Sequence, residues 1–171
     1  MWRWILLCAV LIAIVATSGA SAGQDDRWVI AFNGVGPVKI GVTLSELNTA
    51  LRERFTMPTE KDDQGCFYVN SAKHPHISFM IEDGRVVRVD VDSAGIPTTQ
   101  GVQVGDSEEH ALQVYGSKLK VSDSQYDPEG HYLTIRSEDG RNGIRFETEN
   151  GKIQTYYAGR FGAVQYVEGC Q

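Results

Sequence analysis

The stretch ISFMIEDGRVVRVDV, residues 77–91, decides how this chain is read. Two runs rich in β-branched and aromatic residues flank the turn pair Asp83 and Gly84, the pattern of a β-hairpin. Sixty-seven residues later the chain carries IRFETENGKIQTYYA, residues 144–158. Ile77, Phe79, Glu82 and Gly84 recur as Ile144, Phe146, Glu149 and Gly151, and Asp83, Arg85 and Val86 are replaced conservatively by Asn150, Lys152 and Ile153. The match extends upstream: VKIGVTLSEL (38–47) parallels VQVGDSEEHA (102–111), and GCFYVN (65–70) parallels GHYLTI (130–135). The chain reads as one unit written twice.

The register of each hairpin depends on its turn. A two-residue turn at Asp83 and Gly84 puts Ile77, Phe79, Ile81, Val86, Arg88 and Asp90 on one face. A three-residue loop with Gly84 as a bulge groups Ile77, Phe79, Val87, Val89 and Val91, a wholly apolar set, and is favoured in the first unit. In the second unit the same alternatives give Ile144, Phe146, Gln154, Tyr156 and Ala158, or Ile144, Phe146, Ile153, Thr155 and Tyr157. Neither set is clearly apolar, and the choice stays open.

Each hairpin follows a short helix. Thr43 and Glu46 form a capping box, and Leu44, Leu47, Leu51 and Phe55 recur at helical spacing, which predicts a helix over 44–55. Asp106 with Glu109, or Ser107 alone, caps a second helix whose apolar face is Ala111, Leu112 and Tyr115, with Gly116 as its terminator. Ahead of the first helix, Trp28, Ile30 and Phe32 alternate as in a half-buried strand, and Val38 to Ile40 is a second. Short strands are expected at 66–70, 119–121 and 131–136, at Val102 and Val104 where the second unit opens, and at 163–168. The expected fold is α+β, a tandem repeat of one helix packed on a small antiparallel sheet. The boundaries are 1–22 for a leader, 23–92 and 102–171 for the units, and 93–101 for a short Gly- and Pro-containing linker.

Residues 1–22 carry Arg3, an apolar run from Ile5 to Val15 and a close on Ala20, Ser21 and Ala22, the layout of a cleaved secretory signal. Cys8 lies inside the apolar run, too early to be a lipoprotein cysteine, so no stable membrane anchor is expected after cleavage. The protein is read as exported, periplasmic or extracellular. Loss of Arg3 leaves 15 basic against 22 acidic residues, a balance that argues against nucleic acid as a partner. Cys66 and Cys170 remain, and an even count in an exported chain predicts a disulfide. In the chain-entropy account a loop of this length stabilises by about 4–5 kcal/mol.

The chemistry-bearing residues form no catalytic or metal motif. His74 and His76 are spaced to share one side of an extended segment, but the sequence supplies no third ligand. His131 could serve as a base with Asp127 and a serine, a trio of no specificity; no cofactor is called for. Aromatics gather late in the chain, at Tyr126, Tyr132, Phe146, Tyr156, Tyr157, Phe161 and Tyr166. Adjacent Tyr156 and Tyr157 point to opposite faces of a strand, one into a core and one outward. Tyr132, Arg145, Tyr156 and Arg160 are the expected surface recognition set, since Tyr and Arg anchor protein interfaces.

Two hydrophobics, Gly, any residue, Thr or Ser and a capped helix, followed by a β-meander, form a pattern similar to the BamE (SmpA/OmlA) outer-membrane assembly domains. VKIGVTLSEL and VQVGDSEEHA carry it. Its duplication resembles the β-lactamase inhibitory protein fold. The resemblance implies a non-catalytic, exported module that binds another protein, inhibitor-like or active in envelope assembly. The alternative is a small envelope hydrolase or metal-dependent enzyme using His74 and His76, or His131.

Overall fold

The computed structural model describes residues 28–60 and 65–170, so the leader expected at 1–22 lies outside the described residues. It shows a mixed α and β architecture with two small helices and a large antiparallel sheet. Strands β1 (Ile30–Ala31), β2 (Gly34–Val35) and β3 (Val38–Lys39) form a three-stranded meander. Helix α1 (Leu44–Leu51) leads to β4 (Cys66–Asn70), β5 (Ile77–Glu82) and β6 (Arg85–Val91). Helix α2 (Glu108–Tyr115) leads to β7 (Lys120–Asp123), β8 (His131–Arg136), β9 (Asn142–Glu149) and β10 (Lys152–Arg160). The seven longer strands pair in the order β4-β5-β6-β10-β9-β8-β7.

Both hairpins have tight two-residue turns. Asp83 and Gly84 take φ of 49° and 72°, and Asn150 and Gly151 take 50° and 72°, the left-handed pair that matches strand twist. The bulge expected at Gly84 lies instead one step along the next strand. Ile81 pairs with Val86, but Met80 pairs with Arg88 and Phe79 with Val89, so Val87 is the extra residue. The second hairpin does the same: Ile153 pairs with Thr148 and Thr155 with Glu147, leaving Gln154 extra. A bulge after a tight turn switches the register, so Val86, Val89 and Val91 all reach the core. Each proposed grouping was therefore correct along half of its strand.

The residues leading into α1 and α2 are clamped to the tips of the β5–β6 and β9–β10 hairpins by matching bonds. The Gly41 amide donates to the Val86 carbonyl at 2.7 Å and the Val86 amide to Val42 at 2.9 Å. In the second unit the Gly105 amide donates to Ile153 at 2.8 Å and the Ile153 amide to Asp106 at 2.9 Å. Thr43 forms the expected capping box with Glu46, while Ser107 caps α2 through the His110 amide. Helix α1 stops at Leu51, short of the expected 55. Arg52 turns left-handed at φ 51°, and the Asn48 side chain bonds both the amide and the carbonyl of Phe55, reversing the chain.

Three other expectations are corrected. Val102 and Val104 form no strand; Val102 is core, and its carbonyl accepts from Thr98 at 2.8 Å. Of the Trp28 to Phe32 strand only Ile30–Ala31 pairs. Residues 163–168 are a 3-10 turn, Ala163–Gln165, followed by irregular chain. The Cys66–Cys170 disulfide is present and ties β4 to this terminal segment.

One apolar cluster fills the helix side of the sheet, with Leu47 and Leu51 of α1 and Ala111 and Tyr115 of α2 over Phe79, Val89, Phe146 and Tyr156. The two hairpins share it because β6 and β10 pair directly, Val91 with Tyr156 through Arg88 with Gly159. Gly159 makes that approach possible. A Cβ there would lie 2.2 Å from the Val87 carbonyl oxygen and 2.7 Å from the Arg88 Cα, both backbone atoms. Gly159→Ala is expected to cost on the order of 2–3 kcal/mol in urea unfolding. Gly162→Ala, with open space around its Cβ, serves as the comparison and is expected to cost far less.

Candidate functional site

Period-two alternation sends every second residue of the sheet away from the helices. Tyr68, Met80, Arg88, Asp90, Tyr157, Arg145, Glu147 and Thr134 share that opposite face by register. Residues 161–170 run over part of it, bonded from below by Arg88 and Arg145.

Beneath the terminal segment, Arg88 is almost fully enclosed, with 4% of its side chain exposed. Its Nε and Nη2 grip both Asp90 oxygens at 2.8 Å, and Nη2 also donates to the Tyr68 hydroxyl at 2.6 Å. Nη1 donates to the carbonyls of Ala163 at 3.1 Å and Tyr166 at 2.8 Å. All five donors are thus used. The guanidinium also sits 4.1 Å from the Tyr157 ring centroid. Burial, then the Asp90 charge, pushes the Tyr68 hydroxyl up to about 12. Burial and the 2.6 Å bond to Glu147 raise Tyr157 as well. This network is saturated and structural. An Arg and an Asp two apart between valines, Arg88-Val89-Asp90, was the sequence signal for it: an ion pair on one face of a strand.

Beyond the terminal segment the sheet is open. A cleft of about 1410 Å³ wraps the β7–β8 end, with Phe32, Tyr115, Ile135 and Phe161 among its apolar lining. Its charged lining is Lys118, Lys120, Arg136, Arg145, Glu138 and Asp139. The acidic members are already occupied. Asp139 accepts from Ser137 at 2.6 Å and Arg141 at 2.7 Å, bonds that hold it down at about 2. Glu138 lies 4.0 Å from Lys118. Among the described residues Lys120, Arg136 and Arg145 make no ion pair. Arg145 donates to Thr134 at 2.9 Å and to the carbonyl and side-chain oxygens of Gln165, and leaves two donors over.

The expected recognition set is corrected by this geometry. Tyr156 is fully buried on the helix side, its hydroxyl donating to the Ile96 carbonyl at 2.6 Å. Tyr157 is also covered, because residues 161–170 roof the other face. Tyr132 is buried and accepts from the Gln125 amide at 3.3 Å. Arg145 is 7% exposed and still lines the cleft, and Arg160 is exposed at the end of β10. The four do not form one exposed patch. The cleft has no local sequence signal because it joins residues from Ala31 to Gln165.

The histidines stay apart in role. His74 stacks on Trp28 at 3.6 Å, and His76 pairs with Asp92 at 2.9 Å. His131 Nδ1 meets Glu108 Oε1 at 2.9 Å, and Thr148 donates to the same oxygen. Among the described residues no three His, Cys, Asp or Glu side chains gather as metal ligands. The Glu108 bond raises the His131 pKa.

Two measurements test this account. Arg88→Ala takes the counter-charge from Asp90, which keeps only the Tyr68 hydroxyl, and leaves two carbonyls without their donor; it is expected to cost about 3 kcal/mol in urea unfolding. His131 is expected to titrate by NMR above free histidine, and Glu108→Gln to lower its midpoint. With the folded value raised, the stabilisation is complete below about pH 6.5, the unfolded value, and fades as pH rises through the folded value.

No family model matches this chain, and no curated protein matches it. In structure it is similar to the uncharacterized protein yfeY from Escherichia coli, with a TM-score of 0.49 at 16% identity, over 77% of this chain and 99% of that one.

Proposed function

We propose that this protein is an exported, non-catalytic domain that binds another protein through the β7–β8 cleft. The observation that carries the reading is the charge state of that cleft. In a chain of net charge −6, three cations with no ion pair among the described residues line an open concavity whose carboxylates already have partners, Glu138 in Lys118 at 4.0 Å and Asp139 in Ser137 and Arg141. Apolar Phe32, Ile135 and Phe161 beside them supply the mixed surface a protein partner needs. The matching helix-to-hairpin clamps support a duplicated unit, the arrangement that the likeness to inhibitor and envelope-assembly domains implies. The disulfide is compatible with export, and no described helix is long and apolar enough to cross a membrane.

A hydrolase is the second reading, favoured by one contact. His131 held by Glu108 at 2.9 Å is the base-and-orienter half of a nucleophilic site. A hydroxyl bonded to the free side of that ring would complete it. Thr148, the nearby hydroxyl, bonds Glu108 instead.

Capture from envelope extract on immobilised 23–171 is the test. A partner retained by wild type and lost on Lys118→Glu with Lys120→Glu is expected; both side chains are exposed, so unfolding midpoints should match. Retention by both proteins would move the site elsewhere. No partner, together with ester or peptide hydrolysis abolished by His131→Ala, would favour the enzyme.

A further inference from the structure

The geometry points to an extended acidic segment of a partner protein, added to the sheet as a strand along β7. This rests on the reading of the cleft as a protein-binding site and names what the site takes. Strand β7 ends the sheet order, and among the described residues no strand pairs with its outer edge. All four of its residues are exposed, including Val121 at 49%. Such an edge offers main-chain donors and acceptors to an incoming strand.

The pairing register says which side chains that strand would carry. Lys120 lies opposite Thr134, and Thr134 opposite Arg145, so the three form one row across β7, β8 and β9. The row carries two cations with no ion pair among the described residues. A strand added beyond β7 lies about 4.8 Å away, and a residue facing Lys120 falls within pairing range. A carboxylate there compensates the row. On the other face Val121 lies opposite Leu133, and its exposed side calls for an apolar neighbour. The preferred segment therefore alternates acidic and apolar residues. A second copy of this chain would bring its own Lys120 to the same face and leave the row uncompensated.

The probe is a labelled decapeptide alternating Glu and Val, measured by fluorescence anisotropy against the chain 23–171. Binding is expected that weakens as salt rises, with slowed hydrogen exchange at the β7 amides. Lys120→Glu is expected to lower affinity on the order of five- to tenfold, by turning attraction into repulsion. Two controls can overturn the inference. Equal binding of a Lys–Val peptide would remove the charge argument, and equal binding of a backbone N-methylated Glu–Val peptide would remove strand addition. A chain that self-associates through β7 without peptide would overturn it in favour of a second copy. If no peptide binds while the cleft-dependent partner is still captured from extract, strand addition by an acidic segment is wrong and the binding reading stands. Failure of both removes the binding reading as well.

Discussion

The five donors of Arg88 set the terms for the rest of this structure. The side chain leaves β6 toward the face without helices, where a cation has no solvent and must find partners. Asp90, two residues along the same strand, and Tyr68 of β4 satisfy three donors. The other two go to main-chain carbonyls outside the ladder. The terminal segment supplies them from an irregular turn, at Ala163 and Tyr166. Residues 163–168 meet this need as a 3-10 turn followed by irregular chain rather than as a strand. The disulfide at Cys170 holds the same segment at its far end, from β4.

That constraint also explains which parts of the fold were legible in the sequence. Hairpin existence, helix starts and the cysteine pair are local or chemical signals, and they stood in the residues. The bulges at Val87 and Gln154 did not, because a bulge satisfies alternation on each side of itself and breaks it only across the pair. Reading each strand with one fixed parity forced a choice between two half-correct sets. The end of α1 was misjudged for another reason. Phe55 keeps helical spacing, yet Asn48 folds back to bond its backbone, a side-chain contact that periodicity does not register.

The recognition residues fared worst, and the reason is physical. Tyr156 and Tyr157 alternate, so one was expected in water. That inference assumes a sheet with one solvated face. Here the second face is roofed along its middle by a segment held to Arg88, so both rings are buried. The roof also defines what remains open. The cleft begins at its edge, at Phe161 and Gln165, and continues round the β7–β8 end to Phe32 and Tyr115 on the helix side.

Arg88 and Arg145 occupy comparable positions on that face, and their difference separates structure from function. Both point away from the helices, and both touch the terminal segment. Arg88 has a carboxylate, a phenol and two carbonyls, with no donor unused. Arg145 has a threonine, a glutamine and the Tyr132 ring 5.1 Å from its guanidinium, no carboxylate among the described residues, and a cleft beside it. A cation kept 7% exposed without a counter-charge is costly, and its three hydrogen bonds and the Tyr132 ring offset that cost. A methionine of similar length would fill the same space without the charge. The two donors left over at Arg145 lie in one row with the exposed Lys120, and an acidic partner would satisfy both.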